Sequence, residues 1–161
     1  MKTVNLKKMV MVASLVAGSA FMFSSCEKSK DSDNNAKMYN VSGNASGSQM
    51  VPTVAGSGSA TLTGTYNSNT RVLTYTSNWT NLTGAPTSAS FYSGASGTVG
   101  VAVGSNWSLG TGLSGSGTVS SSTTLTADQA ADLLAGKLYY TYNTVANSSG
   151  EVRGQVTATA Q

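Results

Sequence analysis

The chain has 161 residues, no histidine, one cysteine and a formal net charge of +3. Without imidazole or a second thiol there is no intramolecular disulfide, no histidine general base and no zinc or copper site of the usual His/Cys kind. The positive balance rests on Lys2, Lys7 and Lys8, in a segment read below as removable; the remainder carries six basic and six acidic residues, a neutral chain with no purchase on nucleic-acid phosphates.

Residues 1–25 read as an address. A basic start precedes an apolar run from Met9 to Phe23, and Ser24 and Ser25 lead to Cys26. Fifteen residues fall short of the roughly 20 that span a bilayer, so a signal peptide is expected rather than a transmembrane helix. The pattern resembles a bacterial lipoprotein signal, with Phe23-Ser24-Ser25-Cys26 as a loose lipobox. That resemblance implies cleavage before Cys26 and acylation of its thiol, palmitate among the chains, giving a stable anchor because several chains act together. The plainer reading is a free cysteine after an ordinary signal peptide. Residues 26–37 then form a lipid-bearing cysteine and a polar tether, too poor in hydrophobes to offset ordering entropy. The acidic stretch after the cysteine resembles that of Bacteroidetes lipoproteins, which implies an outer-membrane, surface-exposed location.

From Met38 onward only Arg71, Asp128, Asp132, Lys137, Glu151 and Arg153 are charged. Short runs of alternating apolar and polar residues are separated by Gly, Ser, Asn and Pro. "SATLTGTY" puts Ala60, Leu62 and Tyr66 on one face; "RVLTYTSNW" returns with Leu73, Tyr75 and Trp79 in register. With "YNSNT" between them they predict a hairpin. "MYNVSG", "TVGVAVG", "GSGTVS", "KLYYTYN" and "EVRGQVTA" repeat the period of two, so residues 38–161 are expected to form one all-β sandwich or barrel of seven or eight strands. One segment breaks the period. Thr126 with Gln129 makes a capping box for a short crossover helix near 126–135, Asp128 sits in its first turn, Leu133 and Leu134 form its buried side, and Gly136 fits the position past its end. Asp128 and Asp132 thereby have a structural explanation.

The order "SGSQMVPTVAGSGSATLTGTY", "LTYTSNWTNLTG", "LTADQAADLLAGKLYYTYNT", "SSGEVRGQV" resembles the CHRD domain, the chordin-like module, over about residues 38–158. Gly150 to Gln155 is its most specific piece. The resemblance implies an immunoglobulin-like or Cu,Zn-superoxide-dismutase-like Greek-key β-sandwich. Bacterial members usually carry three histidines at positions that here hold Ser90, Tyr92 and Asn143, and a glutamate where Met50 stands. If those histidines bind metal in the family, this chain has lost the ability, because hydroxyls and a carboxamide are poor ligands for copper or zinc.

Glu151 and Arg153, two residues apart near the C-terminus, are expected to form a structural ion pair that fixes the last strand, with Arg153 forking to Glu151 or to loop carbonyls. The competing reading makes Arg153 an anion or partner contact. Among the aromatics, Trp79, Tyr140 and Tyr142 are expected inside, while Trp107 and Tyr92 are the candidates for ligand contact. Serines abound, but no histidine or suitably placed lysine activates one, and two of the three carboxylates in this region belong to the helix. The expectation is a non-enzymatic, lipid-anchored envelope protein without a cofactor, acting as a protein-binding or structural module. Its partners would be the membrane, through the lipid, and an envelope or extracellular protein, with weak self-association through strand edges that few charges blunt. Two alternatives stand beside it: a glycan-binding surface lipoprotein using Trp107 and Tyr92, and a degenerate relative of a metal-binding or redox domain.

Overall fold

The structure, a computed structural model, describes residues 36–161. Cys26, the leader and most of the tether lie outside the described residues. Eight strands run β1 (Met38–Ser46), β2 (Ser59–Asn67), β3 (Val72–Thr80), β4 (Pro86–Ser93), β5 (Val101–Val103), β6 (Gly117–Thr124), β7 (Leu138–Thr144) and β8 (Val152–Ala160). All pairings are antiparallel, in the order β5-β4-β7-β8-β1-β2-β3-β6. The sheet curls so that β3 faces β4 and β7: Tyr75 meets Phe91 at 5.0 Å between ring centroids, and Trp79 meets Tyr142 at 5.3 Å. The result is an all-β, sandwich-like fold, as the alternation of large apolar residues predicts.

The hairpin pairs Tyr66 with Leu73 and Ala60 with Trp79, which places all four side chains in the core. Its turn is closed by Asn67, whose Oδ1 accepts from the backbone N–H of Asn69 and Thr70 at 2.9 and 3.1 Å, the local bond that makes asparagine a turn residue. The period-2 reading misjudges one region. "TVGVAVG" yields only three strand residues, since residues 94–100 fold as a loop. The strand before it, β4, has no clean alternation because Ala89, Ser90 and Phe91 are all buried. A strand covered on both faces loses the polar half of its pattern.

The helix α1 (Ala127–Leu134) carries the chain from the β6 end of the sheet to β7. Thr126 accepts from the Gln129 N–H, and the Gln129 side chain accepts from the Thr126 N–H at 2.9 Å, completing the predicted box. Gly136 takes the left-handed conformation past the helix end, at φ 68°. Leu134 departs from expectation and is exposed. The helical period puts Leu133 above Ala130 on the buried stripe and turns the next residue away from it.

Candidate functional site: an arginine beneath a glycine-rich loop

Strand β8 alternates core and latch. Val152 and Val156 are fully buried in the hydrophobic core, while Arg153 and Gln155 point to the opposite face of the sheet, beside Tyr139 of β7 and Tyr92 of β4. Over that face lies the loop of residues 94–100. Arg153 is 3% exposed. Its Nη1 donates to the Thr98 carbonyl at 2.6 Å, and its Nη2 to the Ala95 carbonyl at 2.8 Å and to Gln155 Oε1 at 3.3 Å. The guanidinium carbon sits 3.6 Å above the centre of the Tyr139 ring, whose other neighbour, Tyr92, stacks at 5.3 Å and 14°. Cation, ring and ring thus form one column. Gln155 Nε2 holds the start of the same loop through the Gly94 carbonyl and the helix–strand connection through the Gly136 carbonyl, both at 2.9 Å. Tyr139 Oη accepts from the Gly100 N–H at 3.0 Å and closes the loop's other end. The tight return requires glycine at 100, where an added Cβ would lie 2.0 Å from the Ser93 carbonyl oxygen.

Glu151 works elsewhere. Its carboxylate, 3% exposed, accepts from the Thr83 N–H at 2.7 Å, the Thr83 hydroxyl at 2.6 Å and the Thr144 hydroxyl at 2.6 Å. It therefore ties the β3–β4 connection to the end of β7. The expected ion pair is not formed. The two side chains latch different loops, and the alternative within the same expectation, Arg153 forking to loop carbonyls, describes the geometry. Burial pushes the Glu151 carboxyl up, but the hydrogen bonds from Thr144, Thr83 and Asn147 outweigh it and hold the group below the usual glutamate range. Burial lowers the Arg153 pKa from the ordinary arginine value, and Tyr139 works in the other direction.

The other expected site residues separate. Trp107 is 7% exposed, so its role as a surface ligand contact is corrected. Its backbone N–H donates to the Ala89 carbonyl at 2.8 Å, and the ring enters a cluster with Tyr75, Phe91, Tyr140 and Tyr142 at centroid distances of 4.7 to 5.8 Å. Its aromatic neighbours hold the ring inside although its Nε1–H is buried without a hydrogen-bond partner among the described residues. Trp79, Tyr140 and Tyr142 are in the core as expected. Tyr92 is half-buried and has one ring face against Tyr139. Ser90 is buried and donates to Asn106 Oδ1 at 2.5 Å; Asn143 accepts from Thr141 Oγ1 at 3.2 Å and donates to the Ser148 carbonyl at 3.0 Å. Ser90, Tyr92 and Asn143 therefore sit on one side of the β4–β7 pair, but they present two hydroxyls and a carboxamide, and the Ser90 hydroxyl and the Asn143 carboxamide are already bonded to neighbours. These donors do not fit copper or zinc, and no group of three His, Cys, Asp or Glu residues comes together among the described residues.

Between the column and the surface is a cleft of about 110 Å³, lined by Arg153, Thr141, Ser149, Tyr92, Tyr139, Gly100 and the apolar Met50, Val51 and Val99. The sequence marks Arg153 and Tyr92 but misses their covering loop, the Tyr139 platform and Gln155. The usable signal is the spacing of Gly94, Gly97 and Gly100 directly after a strand of aromatic residues.

Neither the curated proteins nor the solved structures gave a match to this chain. The family model described as the CHRD domain matches residues 41–156, which takes in the hairpin, the helix, the glycine loop and the Gly150–Gln155 latch. The chain belongs to the CHRD domain family.

Proposed function

We propose that this protein is a non-catalytic binding module, held on the bacterial outer membrane through Cys26, that contacts an envelope or extracellular protein with the surface around its glycine loop. Membership of the CHRD family supports a module rather than an enzyme. The observation that carries the reading is the display of valine on a clamped loop. Val99 and Val101 are 75% and 72% exposed, beside the exposed Val51, while Arg153, Gln155 and Tyr139 fix the backbone beneath them. Grouped exposed apolar side chains mark contact surfaces. A loop already ordered loses little further entropy when a partner arrives. The glycan reading finds less support, because Trp107 is inside and Tyr92 offers one free ring face.

The test is crosslinking in the intact envelope with the parent chain, Val101→Asp and Cys26→Ser. The expected outcome is that Val101→Asp loses the crosslinked partner while staying in the membrane fraction, and that Cys26→Ser leaves the membrane fraction. An unchanged partner yield with Val101→Asp removes the proposed surface. Membrane retention of Cys26→Ser removes the lipid anchor.

A further inference from the structure

Arg153 is a buried cation without a counter-ion. Its carbonyl partners satisfy hydrogen-bond donors but bring no negative charge, and none of the residues lining its cleft is acidic. Glu151, two residues away, is turned to Thr83 and Thr144, and Asp132 accepts from the Ser93 hydroxyl. Of the five guanidinium N–H groups, three are donated to Thr98, Ala95 and Gln155. The other two have no acceptor among the described residues. Burying a charge with no counter-ion carries a desolvation cost that the Tyr139 ring and the two loop carbonyls offset only in part.

The cleft wall completes the description. Thr141, Ser149 and Tyr92 supply hydroxyls beside the cation; Met50, Val51 and Val99 supply an apolar side. At about 110 Å³, it has room for several water molecules, enough for a carboxylate, the carbon that bears it and a small side chain. One guanidinium matches one carboxylate, whereas phosphorylated ligands are read by clusters of arginine. A uronic acid would press hydroxyls onto the valine and methionine wall. The end of a polypeptide places a carboxylate and an apolar side chain on adjacent bonds.

We propose that the Arg153 cleft receives the C-terminal carboxylate of a partner protein whose last residue is small and apolar. This rests on the binding-module reading and names the chemistry that surface recognises.

The experiment measures fluorescence polarisation of an N-terminally labelled pentapeptide ending in valine, titrated with the full chain in detergent. Parallel titrations use the C-terminally amidated peptide and a labelled glucuronate oligosaccharide. Saturable binding of the free acid, weakened at least tenfold by amidation, is the expected result. Ser149→Asp puts a carboxylate at the mouth at an exposed position, and is expected to weaken binding at least tenfold with an unfolding midpoint no lower than the parent's. Arg153→Gln should lose binding too, with near-ultraviolet circular dichroism confirming that it is folded. Equal binding of acid and amide, binding of neither, or an unaffected Ser149→Asp overturns the proposal. Binding of the glucuronate in place of the peptide overturns it as well and hands the cleft to glycans. If peptide binding fails while Val101→Asp still loses the envelope partner, only the carboxylate proposal falls.

Discussion

Two oppositely charged residues two positions apart invite an ion pair, and at Glu151 and Arg153 the chain uses them separately. Position explains why. Glu151 precedes β8 and meets the β3–β4 connection, whereas Arg153 lies within the strand, on the face that residues 94–100 cover. Gly154 between Arg153 and Gln155 has its own reason: an added Cβ would stand 2.8 Å from the Tyr140 ring. The rarity of charge makes both latches visible in the sequence. Their partners are invisible there, because Thr83, Thr98 and Thr144 are three threonines in a threonine-rich chain and are chosen only by how the loops close. Replacing Glu151 with glutamine keeps the shape but gives one of three donors a second donor to face. An unfolding free energy lower by about 1–3 kcal/mol is expected in urea denaturation. The pH dependence has a definite sign. Because the folded carboxyl is held below the ordinary range, its contribution is complete above the unfolded-state pKa and disappears as pH falls through the depressed folded value. The parent should therefore lose stability on acidification more steeply than Glu151→Gln, and parallel acid limbs would refute the assignment.

At the scale of elements, what was legible divides by what kind of signal each element leaves. The hairpin and the capped helix are local objects, written in alternation, an asparagine turn and a Thr–Gln box, and the structure places them as expected. β4 and the glycine loop are defined by what covers them. Alternation fails on a strand buried from both sides, and nothing within "GASGTVG" says that its carbonyls converge on an arginine more than fifty positions later. Gly100 is the point at which this loop can be tested as a unit. An alanine there must displace the Ser93 carbonyl, which belongs to the last residue of β4. Overpacking of this kind costs about 1–3 kcal/mol, and the strain is confined to the loop and its anchors. Gly100→Ala should raise amide hydrogen exchange across residues 94–100 and weaken the Arg153 contacts, while protection in the β2–β3 hairpin stays at the parent level. Uniform loss of protection would show that the loop is not a separate latch.

On the scale of the whole molecule, the two halves of the curled sheet are joined by phenols. Tyr140 Oη lies within hydrogen-bonding distance of the Gly43 and Ala60 carbonyls, at 3.2 and 3.1 Å, and Tyr142 Oη donates to Ser77 Oγ at 2.9 Å, which donates in turn to the Thr61 carbonyl at 2.9 Å. β7 is thus bonded across the core to strands β1, β2 and β3, beyond its own ladder. The sequence shows that these tyrosines face inward; it does not show that their hydroxyls cross the sandwich, because that depends on the curl. Burial raises the pKa of all three central phenols. It pushes Tyr75 up to about 12 despite a hydrogen bond with Ser121, and raises Tyr140 and Tyr142 as well, with neighbouring tyrosines adding to each and Ser77 partly offsetting the rise at Tyr142. A phenol that stays protonated in the folded chain but ionises at its ordinary value in the unfolded one stabilises the fold fully below about pH 10. That contribution shrinks as pH climbs through the unfolded value toward the raised folded ones. Stability should consequently fall steeply above about pH 10. Phenolate absorbance from these three residues should appear only in the cooperative transition that also abolishes near-ultraviolet circular dichroism. Tyr142→Phe removes one ionising group but leaves Ser77 without its partner, so it should lower stability at neutral pH and flatten the alkaline limb. If the alkaline limb of Tyr142→Phe matches that of the parent, the cross-core phenols do not set the upper pH limit of the fold.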